Sequence, residues 1–113
     1  MPSIPTPSRW FVYLLRCRDG SLYCGITRDI PRRVAQHNAG TGAKYVVPSR
    51  RPAACVWKRR AADQSQALSL EYWVKQQTVV IKESLIEKRT AIRADKDGAW
   101  KRVGRASPKN GLR

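Results

Sequence analysis

Acidic side chains are scarce in this sequence. Eight Asp and Glu stand against 23 Lys and Arg, a formal charge of +15 over 113 residues. The eight carboxylates are scattered singly, so a site holding two metal ions through several carboxylates finds little support. Apolar residues are not short, at 42%, and allow a real core. Yet no apolar run approaches the roughly 20 residues that span a bilayer. The opening MPSIPTPSRW lacks the basic and apolar regions of a secretory leader. Cys17, Cys24 and Cys55 cannot all pair, and no C-x-x-C occurs. Reduced thiols in a cytoplasmic setting are therefore the expectation, with Cys17 and Cys24 read as small buried thiols rather than a cross-strand bridge.

The basic residues are unevenly placed. Residues 28–60 hold nine Lys/Arg and one acid, and 94–113 hold six bases and two acids. An imbalance of this kind repels itself in a compact state and points to a polyanionic partner, nucleic acid before an anionic membrane surface. A membrane is the weaker reading because the bases form no single amphipathic stripe.

Local patterns predict one α+β domain over 10–93, in the order β-β-α-β-α-α, after a flexible lead-in at 1–9. WFVYLLRC (10–17) reads as a strand buried on both faces. Asp19-Gly20 signals a two-residue hairpin, and SLYCGI (21–26) returns. Asp29 caps a helix with Pro31 just inside it and Gly40 ending it. A Gly-, Pro- and base-rich loop (40–52) precedes a third strand at 53–60. Asp63, with Gln66, caps a second helix, and Thr78 opens a third that is expected to run to 92. The pattern then dissolves into a basic tail, 94–113, expected to be disordered.

Two helices carry charge where apolar residues belong. At 100° per residue with Ile30 at zero, Val34 lies at about +40°, His37 at about −20° and Arg33 at about −60°. All four share one stripe. On the second helix Glu71 falls among Ala67, Leu70 and Val74. Buried charges cost several kcal/mol unless paired, hydrogen-bonded or metal-bound. An internal Glu71–Arg33 pair, or Glu71 reaching Lys75, is the plain alternative to a gathered site. Tyr13 and Tyr23 lie on the hairpin strands. A two-residue turn puts them on opposite faces of the sheet; a bulge or wider turn is needed to bring them together, and that irregularity is expected.

FVY (11–13), YCG (23–25), Arg33, His37 and a helical Glu71, within VYLLRCRDGSLYCGIT, RRVAQHNAGTGAKY and QALSLEYWVK, resemble the GIY-YIG nuclease superfamily, and most closely its small stand-alone bacterial YhbQ-like branch. The resemblance covers about residues 10–90. Phe11 stands where the first motif has Gly, and Cys24 where the second has Ile, but both tyrosines and Gly25 are kept. What the resemblance implies is a three-stranded antiparallel sheet flanked by helices. It also implies a metal-dependent endonuclease hydrolysing DNA phosphodiester bonds, in branched, flap or damaged DNA. Tyr13, Tyr23, Arg33, His37 and Glu71 would be the catalytic set, and Glu71 would hold one Mg²⁺ or Mn²⁺.

On this reading Tyr13 acts as a tyrosinate, lowered from its usual pKa near 10 by metal and cations, with Tyr23 as its partner. Arg33 holds the phosphate and His37 relays a proton or orients a tyrosine. Lys44, Arg50, Arg51, Lys58, Arg59 and Arg60 track the nucleic-acid backbone. Tyr45 and Trp57 are candidates to stack on a base, against a plain core or rim role. The alternative is a non-catalytic binding module on the same fold, for RNA or DNA.

Overall fold

A computed structural model describes residues 9–42 and 46–104. The chain forms two compact units, divided between Lys75 and Gln76. The first contains β1 (Phe11–Arg16), β2 (Leu22–Thr27), α1 (Ile30–Ala39), a 3₁₀ turn (Pro48–Arg50), β3 (Ala54–Arg60) and α2 (Gln64–Lys75). The second contains α3 (Val79–Ile86), β4 (Thr90–Ala94) and β5 (Trp100–Gly104). Among the described residues no helix is long and apolar enough to cross a membrane.

The three-stranded sheet has the order β2-β1-β3, both pairs antiparallel. β1 is central and buried on both faces, as its unbroken apolar run requires: Val12, Leu14 and Leu15 are fully buried. Each such side chain contributes about 1.5–3 kcal/mol when removed from water. α1 lays Ile30 and Val34 on the face that carries Tyr13, Leu15, Cys17 and Tyr23. α2 packs on β1 and β2 with Ala67, Leu70 and Val74 buried.

The caps follow the sequence signals. Asp29 accepts from the Arg32 amide and Gly40 closes α1 at φ 88°. Asp63 accepts from the Gln66 amide at 2.8 Å, while Gln66 Oε1 accepts from the Ala62 amide at 2.7 Å. Thr78 accepts from the Ile81 amide. The Asn38 side chain spans α1 and β3, donating to Ala53 O at 3.0 Å and accepting from Ala53 N at 2.7 Å. It copies a strand's pairing at the point where β3 begins.

Three expectations are corrected. The first turn is not a two-residue loop: Cys17 N donates to Ser21 O and Gly20 N to Cys17 O, leaving Arg18, Asp19 and Gly20 as a three-residue loop with Gly20 at φ 87°. A turn followed by a left-handed residue adds one residue to the connection and moves the register by one. The third helix ends at Ile86 rather than 92, with Lys88 at φ 61° and Arg89 N bonded back to Ser84 O. β-Branched Thr90 and Ile92 then suit a strand better than a helix end. Residues 94–104, expected as part of a disordered tail, are instead ordered: β4 and β5 pair antiparallel from Thr90↔Gly104 to Ala94↔Trp100. Residues 1–8 of the lead-in and 105–113 of the tail lie outside the described residues.

Candidate active site

The register correction decides the site. With Tyr13 opposite Gly25 and Leu15 opposite Tyr23, both tyrosines project from the same face of the sheet. This is the wider turn that a shared tyrosine site requires. α1 crosses the same face and brings His37, fully buried, onto them. Tyr13 Oη lies 2.9 Å from His37 Nε2. The Tyr23 ring meets His37 edge-on at 5.2 Å and Tyr13 at 6.3 Å between centroids.

Two glycines make room for this arrangement. A Cβ on Gly25 would stand 2.6 Å from Tyr13 Oη, and one on Gly42 2.5 Å from His37 Nδ1. Gly25 is thus the floor beneath the Tyr13 phenol, which explains why the second motif keeps its glycine while Cys24 replaces a neighbour. Gly42 lies in the Gly-rich loop after α1, and its closeness to His37 arises from the chain folding back there.

Charge surrounds the cluster without neutralising it. Burial pushes the Tyr13 phenol up to about 12, against a hydrogen bond and the positive charge from Arg33. In the protein's own side chains, desolvation outweighs the one guanidinium beside the phenol. Tyr23 is also raised, first by burial, with Lys75 and Arg33 opposing and Glu71 adding to the shift. His37 is held below its usual value by burial and by Arg33, so it is a neutral imidazole near pH 7. The Tyr13 hydroxyl, protonated, can donate to that Nε2.

Arg33, half-buried on α1, donates to Gln36 Oε1 at 3.0 Å. Glu71, on α2, has an 18%-exposed side chain with Oε2 3.4 Å from Lys75 Nζ, the plain pairing rather than a Glu71–Arg33 bridge. Tyr13, Tyr23, Arg33 and His37 are thus brought together, and Glu71 acts electrostatically on Tyr23. Among the described residues no group of three or more His, Cys, Asp or Glu could hold a metal ion.

The residues expected to contact a nucleic-acid backbone divide. Lys58 and Arg60 are exposed on β3 opposite Tyr13 and Phe11, so they share the tyrosine face. Arg59, opposite Val12, and Trp57, opposite Leu14, belong to the other face. Arg50 pairs with Asp19 at 3.0 Å, and Arg51 donates Nε to Val46 O while lying against Gly40. Both brace the chain around the loop. Lys44 and Tyr45 lie outside the described residues.

Sequence reasoning missed Arg9 and Arg28. They join Lys58 and Arg60 in lining a cleft of about 520 Å³, together with Phe11, Asp29, Ile30 and Pro31. Arg28 also lies over the Trp10 ring at 5.9 Å. Nothing in their local spacing marks them; the β2–α1 junction and the edge of β3 bring them together.

A family model for the GIY-YIG catalytic domain matches residues 9–80. The UPF0213 protein of Vibrio cholerae is 49% identical over 81 residues, covering 71% of this chain and 79% of the relative. That of Desulfotalea psychrophila is 42% identical over 90 residues, covering 79% and 76%. The solution structure of the UPF0213 protein of Bacillus halodurans is 38% identical, covers 71% of this chain and 84% of its own, and superposes with a TM-score of 0.46. GIY-YIG domains are nucleases that act on nucleic acid, typically with a divalent metal. Matched over its motif-bearing residues and at this identity to several bacterial relatives, the chain belongs to the GIY-YIG nuclease superfamily, in its small stand-alone UPF0213 branch.

Proposed function

We propose that this chain is a metal-dependent endonuclease that hydrolyses DNA phosphodiester bonds, with Tyr13, Tyr23, Arg33, His37 and Glu71 as its catalytic residues. The observation that carries the reading is the buried Tyr13 Oη–His37 Nε2 contact of 2.9 Å, with Tyr23 and Arg33 beside it. A binding module has no use for a phenol and a neutral imidazole held in that relation.

Hydrolysis needs a water made nucleophilic, relief of charge on the phosphate, and a stabilised leaving oxygen. Because the Tyr13 phenol is raised, a free tyrosinate is a poor starting point. A relay is better suited: Tyr13 Oη takes a proton from the attacking water while its own proton passes to His37 Nε2. The imidazole is neutral and able to receive it. Arg33 is tethered by Gln36 and has further N–H donors for a phosphate oxygen. The Tyr23 hydroxyl, also kept protonated, can donate to another.

Glu71 fits a hard divalent cation of the kind bound by one carboxylate, with waters and substrate oxygens completing the shell. Its carboxylate is largely shielded, and its charge is felt at Tyr23. Such an ion would draw off charge developing on the phosphate. The basic cleft at Arg9, Arg28, Lys58 and Arg60 adjoins the tyrosine site, since Lys58 pairs across from Tyr13 and Arg60 from Phe11, and it would hold the backbone beside the scissile group.

The test is cleavage of labelled single-stranded, duplex, flap and four-way-junction DNA with Mg²⁺, Mn²⁺ or EDTA. The Glu71→Ala and Tyr13→Phe variants run beside the parent. Metal-dependent cleavage lost in both variants supports the reading. Equal cutting by all three overturns it, and strong salt-sensitive binding without cleavage would leave the binding module in its place.

A further inference from the structure

The second unit carries basic residues that the candidate active site does not use. In the β4–β5 ribbon, Arg93 stands directly across from Lys101. Like charges facing one another across a strand pair are destabilising. Both are exposed, and neither makes an ion pair among the described residues. The same face carries Ala91 and Val103, while Ile92, on the opposite face, is buried. Arg102 and Lys96 add exposed cations on the ribbon and its turn.

The nearby acids do not offset this charge. Asp95 commits its carboxylate to the turn, accepting from the Asp97 and Ala99 amides, and Glu87 pairs with Arg89. Asp97, at the tip, is the remaining acid of the ribbon. A two-stranded ribbon alone is only marginally stable, so a repulsive pair within its five-pair ladder is a cost that a bound anion would remove.

We propose that the Arg93–Lys101 face of this ribbon is a second nucleic-acid contact, binding the phosphate backbone through paired cations. The ribbon lies beyond the family-matched residues 9–80. The inference rests on the proposed function only in taking nucleic acid as the partner, and it does not need hydrolysis. Charge complementarity favours a phosphate backbone over other occupants, because opposed cations suit a regular row of anions.

The test is the affinity of the full chain for a fluorescein-labelled DNA duplex in EDTA, by anisotropy across a salt series. Arg93→Glu is compared with Arg18→Glu, an equal charge change on the turn of the first hairpin. For Arg93→Glu the expectation is a several-fold loss of affinity and a salt dependence shallower by about one unit of slope. Its melting temperature should be unchanged or raised, since the introduced carboxylate would face Lys101. Arg93→Lys should bind like the parent. Equal losses at Arg93 and Arg18, or none at Arg93, overturn the contact. So does an Arg93→Glu variant that loses binding only to phosphatidylserine vesicles. Normal cleavage without dependence on Arg93 removes this inference alone; ribbon-dependent binding without cleavage supports it and removes the nuclease reading alone.

Discussion

The chain uses one turn twice and obtains two different structures from it. Cys17-Arg18-Asp19-Gly20-Ser21 and Asp95-Lys96-Asp97-Gly98-Ala99 share the same hydrogen bonds, first residue N to fifth residue O at 2.8 Å and glycine N to first residue O at 2.9 Å. Their glycines sit at φ 87° and 85°. The strands they join share little. β1 is apolar almost throughout and becomes the centre of a sheet, while β4 and β5 carry Arg93, Lys101 and Arg102 and stay a two-stranded ribbon. The turn sets only register; burial decides whether the hairpin becomes a scaffold for chemistry or a charged surface.

The first hairpin should fail sharply where its chemistry is touched. Tyr13→Phe removes the phenol that would carry the proton, and should lower the cleavage rate by about 10²–10⁴-fold, the usual contribution of general acid–base groups. DNA affinity measured in EDTA should stay within about twofold, because no phosphate contact is lost. A rate unchanged in Tyr13→Phe would remove Tyr13 from the mechanism and shift attention to Tyr23.

Gly25→Ala probes the packing that the second hairpin lacks. Its Cβ would press on the Tyr13 ring, so both stability and activity should fall, the former by about 1–3 kcal/mol, as for other overpacked cores. Urea denaturation gives the first and the cleavage assay the second. Full stability here would show that the sheet yields more easily than the contact distances indicate.

The pH response should also belong to the first hairpin. His37 is depressed below its unfolded value near 6.5, so the unfolded chain binds its proton first. Its contribution to stability is complete above about pH 6.5 and is lost as pH falls from there towards the folded value. Tyr13 is raised, so its contribution is complete below about pH 10 and is lost as pH rises towards about 12. Cleavage should likewise fall on the acid side as His37 becomes protonated. His37→Gln should flatten the acid limb of the thermal-melting profile; a limb unchanged by that substitution would assign it to another group.

The smallest effect separates the hairpins most directly. Gly20→Ala and Gly98→Ala meet no neighbouring atom, and each faces only the left-handed backbone cost of about 1–2 kcal/mol. The strain is the same, but its reach should differ. Gly20→Ala should lower the global melting temperature by several degrees, whereas Gly98→Ala should chiefly speed amide exchange within β4–β5. Equal global effects would mean that the ribbon folds as one cooperative unit with the sheet.

Much of this was legible in residue order. The strands around Asp19, the caps of α1 and α2, and the inward stripe of Ile30, Arg33, Val34 and His37 follow from short-range periodicity and side-chain hydrogen bonding. The β4–β5 ribbon was not legible, because five-residue strands broken by Arg and Lys give weak alternation and resemble a basic tail. The same Asp-Gly pair that marks a hairpin between apolar runs is silent between charged ones.

Sequence alone determined which elements of the first unit form, which residues cap them, and that tyrosines, an arginine, a histidine and a glutamate occur in the family's order. These depend on contacts within a few residues, which local chemistry controls. Only the tertiary structure decided that a three-residue turn puts Tyr13 and Tyr23 on one face, that burial raises Tyr13 while leaving His37 neutral, and that Arg50 and Arg51 brace the chain. It also gathered Arg9 and Arg28 beside Lys58 and Arg60. Each of those outcomes depends on what lies across the sheet or on how much water is excluded, and neither is encoded in any short stretch of chain.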